Sequence, residues 1–227
     1  MRGYQDEVDG LVGDPAFSPI TFWQNRRTSV PVLQAMEALK QMAGARQRCM
    51  YCVDSLGSDI DHFWPKSPFP GRMYMWENLV LSCTPCGRIK GNEFPLANEM
   101  PLLIDPTSEN PWDFLDFDSE TGNIVPRVER ESGTETIKGR ETVRVLQLDR
   151  REAIANGYRK TFGRVAELVR EIVEDGFTPD HIARLIDVDD HGLLGWCFNG
   201  LGQNDPPFSD LRTNDPRAWD VCQTSFV

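Results

Sequence analysis

Four of the six cysteines in this 227-residue chain stand in two C-x-x-C pairs, Cys49 with Cys52 and Cys83 with Cys86, thirty residues apart. Each pair can bend the backbone so that both sulfurs face one ion, and two such bends complete a tetrahedral four-thiolate site. Four thiolates leave no open coordination position, so the expected ion, Zn2+, is structural. In small zinc peptides such a site contributes about 10–16 kcal/mol, comparable to the stability of a whole domain. A thioredoxin-like redox pair would need a βαβ context, which the flanking sequence does not offer. Cys197 and Cys222 stand alone and are expected to be buried small apolar residues.

The thirty residues between the pairs carry groups of another kind. Asp61-His62-Phe63-Trp64-Pro65-Lys66 is followed, sixteen residues after His62, by Asn78 in Trp76-Glu77-Asn78-Leu79, then by Leu81-Ser82-Cys83, Cys86 and Lys90. In this order the segment 49–92 resembles the zinc-stabilised form of the HNH endonuclease motif. That form is a D/E-H-x-x-P-K strand, an N-L step, and a C-x-x-C leading into a helix. A weaker resemblance runs further, through Ile89-Lys90-Gly91-Asn92, Phe94-Pro95, Leu103-Ile104-Asp105-Pro106 and Leu146-Gln147-Leu148-Asp149-Arg150. It is to the HNH subunit of Septu-type antiphage systems and related retron-associated nucleases, which work beside an ATPase.

The resemblance implies metal-dependent cleavage of phosphodiester bonds, in DNA ahead of RNA. Such hydrolysis needs a deprotonated water in line with the leaving oxygen, and positive charge on the phosphate oxygens. A neutral imidazole suits the first task near neutral pH, and the resemblance makes His62 the general base. It makes Asp61 a ligand of a catalytic Mg2+ or Mn2+ ion. Asn78 would hydrogen-bond the loop around His62 and fix the ring. Arg88 and Lys90, in the last helix of the motif, could clamp phosphate, while Lys66 and Arg72 could track the nucleic-acid backbone. Trp64 and Trp76 are read as core packing, Asp59 as a solvated carboxylate, and His181 and His191 as structural or surface residues.

One position departs from the motif. HNH proteins usually place His or Asn directly after the last cysteine as a metal ligand, and here that residue is Gly87. Three outcomes fit the gap. Asn92 reaches the ion instead, water fills the vacancy, or the site is degenerate. The last would make the chain a non-catalytic, zinc-dependent nucleic-acid-binding or adaptor subunit, which predicts binding without cleavage.

The expected fold class is α+β, a zinc-stapled ββα unit embedded in a mainly helical protein. Short strands are expected at 58–63 and 79–82 and a helix at 85–90. Before them, 1–28 reads as irregular and 30–47 as a helix, with Ser29 as N-cap and Pro31 in its first turn. After them, 93–111 reads as extended, and 114–118 with 123–127 as a hairpin. Helices are expected at 136–148, at 150–175 with apolar residues spaced by four and three, and at 178–186. The Gly-, Asn- and Pro-rich last 35 residues are assigned no element. The segments are thus 1–48, an N-terminal arm and helix; 49–92, the nuclease core; 93–133, an acidic extended region; and 134–227, helical.

The net charge of −11 argues against nucleic-acid binding only as an average. Residues 46–92 carry six basic and four acidic side chains, whereas 93–133 carry ten acids against two arginines. Phosphate responds to the local field. The acidic stretch reads as a solvated surface, and it and the helical C-terminal part are the natural partner faces. No apolar run is long enough to span a bilayer and the N-terminus lacks an apolar signal region, so a cytoplasmic location and no membrane partner are expected.

Overall fold

A computed structural model describes residues 1–226, which divide into two compact units, 1–109 and 110–226. The division falls inside the acidic 93–133 stretch.

The first unit is built on the two cysteine pairs. Strand β1 (Asp59–His62) runs antiparallel to β2 (Leu79–Ser82), with Asp61 opposite Val80 and His62 opposite Leu79. Helix α4 (Thr84–Lys90) follows β2 directly, started by Cys83 as N-cap and by Pro85, whose fixed φ suits a first turn. Three helices precede the hairpin: α1 (Arg2–Leu11), α2 (Pro19–Arg26) and α3 (Val30–Met42). The first two correct the expectation that 1–28 is irregular. Ser18 caps α2, its Oγ accepting from Thr21 N at 3.3 Å, and Pro19 holds the first helical position. That is the same signature as Ser29 and Pro31 at the start of α3. Val8, Trp23, Val32, Ala35 and Leu39 from these helices bury against Ile60, Leu79 and Leu81 of the hairpin, together with Met73 and Tyr74. α3 ends at Met42, short of the expected 47. A second short hairpin, β3 (Leu96–Ala97) with β4 (Met100–Pro101), lies within the segment read as extended.

The second unit starts with the expected hairpin, β5 (Leu115–Phe117) paired antiparallel with β6 (Ile124–Pro126). Helices α5 (Ile137–Leu146), α6 (Glu152–Asp175) and α7 (Asp180–Val188) follow near their expected places. The C-terminal stretch left without elements forms α8 (Leu193–Asn199), α9 (Phe208–Asn214) and α10 (Pro216–Ser225). Its aromatics explain this: Phe162 of α6 packs against Trp196 and Phe208, and Phe198 against Trp219. Burial there overrides the weak helix propensity of Gly and Asn. Gly139 is required where it stands, since a Cβ would lie 2.0 Å from the carbonyl of Phe114. Cys197 and Cys222 are buried and free, as expected. His191 Nδ1 pairs with Thr161 Oγ1 at 2.8 Å, and His181 Nδ1 accepts from Thr178 N at 2.8 Å, so both serve packing. Among the described residues no helix is long and apolar enough to cross a membrane.

Candidate functional site

The four expected sulfurs come together. Cys49, Cys52, Cys83 and Cys86 are all buried, and their Sγ atoms lie within 4.8 Å of one another, with Cys52 and Cys83 at 3.9 Å. A tetrahedron of Zn–S bonds of about 2.3 Å has edges of about 3.8 Å, so the cluster can hold a metal ion such as zinc. The local backbone is bent to this end. Val53 N donates to Cys49 O at 2.8 Å, and Met50 N to Leu81 O at 2.8 Å, which ties the first cysteine turn to β2. Val53 has φ of 49°, a left-handed conformation that costs a β-branched residue about 1–2 kcal/mol. Between themselves the thiols compete for protons. Hydrogen bonds among the sulfurs drive Cys83 down and Cys86 up, and Cys52 is lowered to about 7 chiefly by Cys49. A central cation ends that competition by taking all four as thiolates.

Asp61 and His62 lie beside this cluster at the end of β1, on opposite faces, as neighbours on a strand must. Asp61 faces α4. Its Oδ2 accepts from Tyr51 Oη at 2.8 Å and lies 3.0 Å from Lys90 Nζ. Tyr51 sits inside the first cysteine pair, so the zinc cradle and Asp61 are joined by one hydrogen bond.

Lys90 is not where a phosphate clamp could use it. Its side chain has no exposed area, and its Nζ also donates to the backbone carbonyl of His62 at 2.7 Å. Four residues after buried Cys86, it lies on the same inward face of α4. Burial pushes its pKa down and the Asp61 carboxylate pulls it back up.

His62 faces the other way, into the core with Ile60. It is 1% exposed, with the Trp23 ring edge-on at 4.4 Å between centroids. Nε2 lies 3.0 Å from Met73 O. A carbonyl only accepts, so Nε2 carries the proton and Nδ1 carries the lone pair. Nδ1 is buried with no hydrogen-bond partner. Burial and the nearby Lys66 charge lower the imidazole pKa to about 3, so the ring is neutral at physiological pH.

Asn78 fastens the loop that supplies Met73. It is buried; its Oδ1 accepts from Trp64 N at 2.7 Å, and its Nδ2 donates to Trp64 O at 3.1 Å and Arg72 O at 2.9 Å. The chain of restraint runs from Asn78 to the 64–72 loop, to Met73 O, to the His62 ring. Trp64 packs against Phe69 and Phe94 and carries Arg72 over its face at 4.4 Å. Trp76 is 41% exposed, so the core role expected for it is not what it has. Arg72, Arg88, Asp59 and Asn92 are exposed and Lys66 is half-buried. At Gly87 a Cβ would find Ser82 Oγ at 3.4 Å, ordinary contact, and φ is not left-handed.

Two residues missed from sequence complete the site. Tyr51 and Trp23 touch Asp61 and His62 respectively, and only the alternation of β1 hinted at them: Ile60, apolar, shares a face with His62.

Among curated proteins the chain is similar to the Septu protein PtuB of Bacillus thuringiensis, with 25% identity over 142 residues, 60% of this chain. The match covers 49% of that relative, so the chain spans about half the length of the curated relative it matches. No protein-family model and no solved structure matches it.

Proposed function

We propose that this chain is an HNH-type endonuclease subunit of a Septu-like antiphage system, cleaving phosphodiester bonds, in DNA ahead of RNA, with His62 as general base. The observation that carries this is the state of the His62 ring. A buried nitrogen without a partner costs about 1–3 kcal/mol, so it calls for an explanation, and a catalytic role is one. Here the Nδ1 lone pair is left unengaged by a bond that fixes the tautomer, on the last residue of β1 in a hairpin–helix unit stapled by four thiolates. In the reaction Nδ1 takes a proton from water, the hydroxide attacks phosphorus, and the 3′ or 5′ oxygen leaves, taking its proton from solvent. A positioned base contributes about 10²–10⁴ in rate when its pKa lies near the working pH, so the ring, held near 3 by burial, acts as base only once substrate entry exposes it. Arg72, Arg88 and Lys66 supply charge for the phosphate. The similarity to the PtuB protein supports the defence setting, and the ion in the cysteine cradle is taken as zinc.

The resemblance also implies a catalytic Mg2+ or Mn2+ on Asp61 and Asn92. The residues do not fit it. Hard divalent ions need several oxygen ligands, and among the described residues the sole cluster of three or more His, Cys, Asp or Glu ligands is the four-cysteine one. Asp61 is engaged by Lys90 and Tyr51, so no step is drawn through such an ion. His62 is buried with its ring edge-on to Trp23 of α2, so substrate reaches the imidazole only when this packing opens. An ATPase partner meeting the acidic stretch or the C-terminal helices belongs to the same proposal.

A second reading, a non-catalytic zinc-dependent adaptor, is favoured by the burial of His62. Plasmid nicking by the purified chain, with and without the ATPase, separates the two. Nicking that His62→Ala abolishes while zinc content and melting stay unchanged supports the enzyme. DNA binding without nicking under both conditions, or nicking at the wild-type rate by the variant, supports the adaptor.

A further inference from the structure

We propose that the cation at the Asp61 carboxylate is the protein's own Lys90 ammonium, which also positions His62 by gripping its main-chain carbonyl. This deepens the nuclease reading and rests on it for its meaning, though not for its test.

The zinc cradle sets the geometry. Cys83 and Cys86 fix where α4 begins, and one helical turn after Cys86 the Lys90 side chain points back at β1. There its Nζ meets Asp61 Oδ2 at 3.0 Å and His62 O at 2.7 Å, with no part of the side chain exposed. An ammonium has three donors, and two are committed to these oxygens. Asp61 Oδ2 is further occupied by the Tyr51 hydroxyl. Both contacts are to Oδ2, and a divalent ion at either oxygen of this carboxylate would stand close to the buried Lys90 charge. Gly87 offers it no side-chain ligand. Lys90 therefore does on one side of β1 what Met73 O does on the other: it pins the backbone of the residue whose ring Met73 O orients. It is a positioning residue, since it acts on His62 through the peptide carbonyl.

The test uses the full, zinc-loaded chain and Mn2+ as probe, with free ion followed by its paramagnetic resonance signal. The wild-type protein should show no saturable Mn2+ binding in the micromolar range, and Asp61→Asn should bind no differently. Lys90→Met should lower the denaturation midpoint, and adding Asp61→Asn to it should restore much of the loss, because both charges are then gone. In that double variant the imidazole nitrogen resonances of His62 should shift, while Lys90→Arg, which keeps the charge, should hold them nearer to wild type. One Mn2+ bound tightly by wild type and lost in Asp61→Asn would overturn the proposal, as would unchanged His62 resonances in the double variant. Neither outcome depends on whether the protein cuts, so a failed nuclease reading remains distinguishable.

Discussion

The four-thiol cradle and the Asp61–His62 end of β1 lie side by side in the first unit and are finished to different degrees. In the cradle every ligand is present, buried and turned inward, and a metal ion would close the set. At the end of β1, Asp61 Oδ2 is held by Tyr51 and Lys90, whereas His62 has one nitrogen bonded and one left over. On the proposed reading the cradle is the frame, and the open lone pair is the part used in the reaction.

The sharpest way to break the frame is Cys83→Ser. Three thiolates and an ill-fitting hydroxyl forfeit most of a site worth about 10–16 kcal/mol, more than the usual stability of a domain. Metal analysis should find about one zinc per wild-type chain, as one tetrahedral site requires, and the variant should lose it and unfold. A zinc-free wild-type protein with an unaltered melting temperature would remove the cradle from the account.

Next in size is Lys90→Met, which strands the Asp61 carboxylate. Breaking a buried pair from one side costs about 3–5 kcal/mol. Urea denaturation of the variant should show a loss of that order. A loss below about 1 kcal/mol would mean the pair is worth no more than an exposed one.

The His62 side responds to acid. The ring stays neutral in the fold down to about pH 3, while in the unfolded chain it protonates near pH 6.5. Below pH 6.5 the unfolded state binds a proton that the folded state refuses. The contribution is full above that pH and is lost as pH falls toward 3. From pH 6.5 to 5 the loss is about 2 kcal/mol. Stability of His62→Gln should decline less steeply over that range, and equal slopes would place the ring in water rather than the core.

The smallest effect belongs to Val53. Glycine tolerates its left-handed φ freely, so Val53→Gly should raise the stability of the zinc-loaded protein by up to about 1 kcal/mol. A comparable loss in thermal melts would show that the valine side chain, not the turn, matters there.

The frame was readable because cysteine spacing is a local pattern with few structural solutions. β2 was legible from Leu79-Val80-Leu81, and the long helix α6 from its apolar spacing. The parts that decide what His62 meets were less so. Trp23 lies 39 positions away, on a helix hidden by Gly, Pro and Asp punctuation around it. Yet Ile60 beside Asp61 already said which face of β1 is apolar, and Lys90, one turn after a buried cysteine, already pointed inward. Both signals were present and outweighed by the motif, in which a lysine suggests phosphate.

The chemistry turns on which nitrogen of His62 carries its proton. Nitrogen-detected NMR of imidazole-labelled, zinc-loaded protein reads this directly. His62 should show a protonated Nε2 and a pyridine-type Nδ1 that persist without titrating from neutral pH down to pH 5, in line with a pKa near 3. A ring protonated at Nδ1 would contradict the claim that this lone pair is held ready as a base, and one titrating near the ordinary value of about 6.5 would place the ring in water rather than the core.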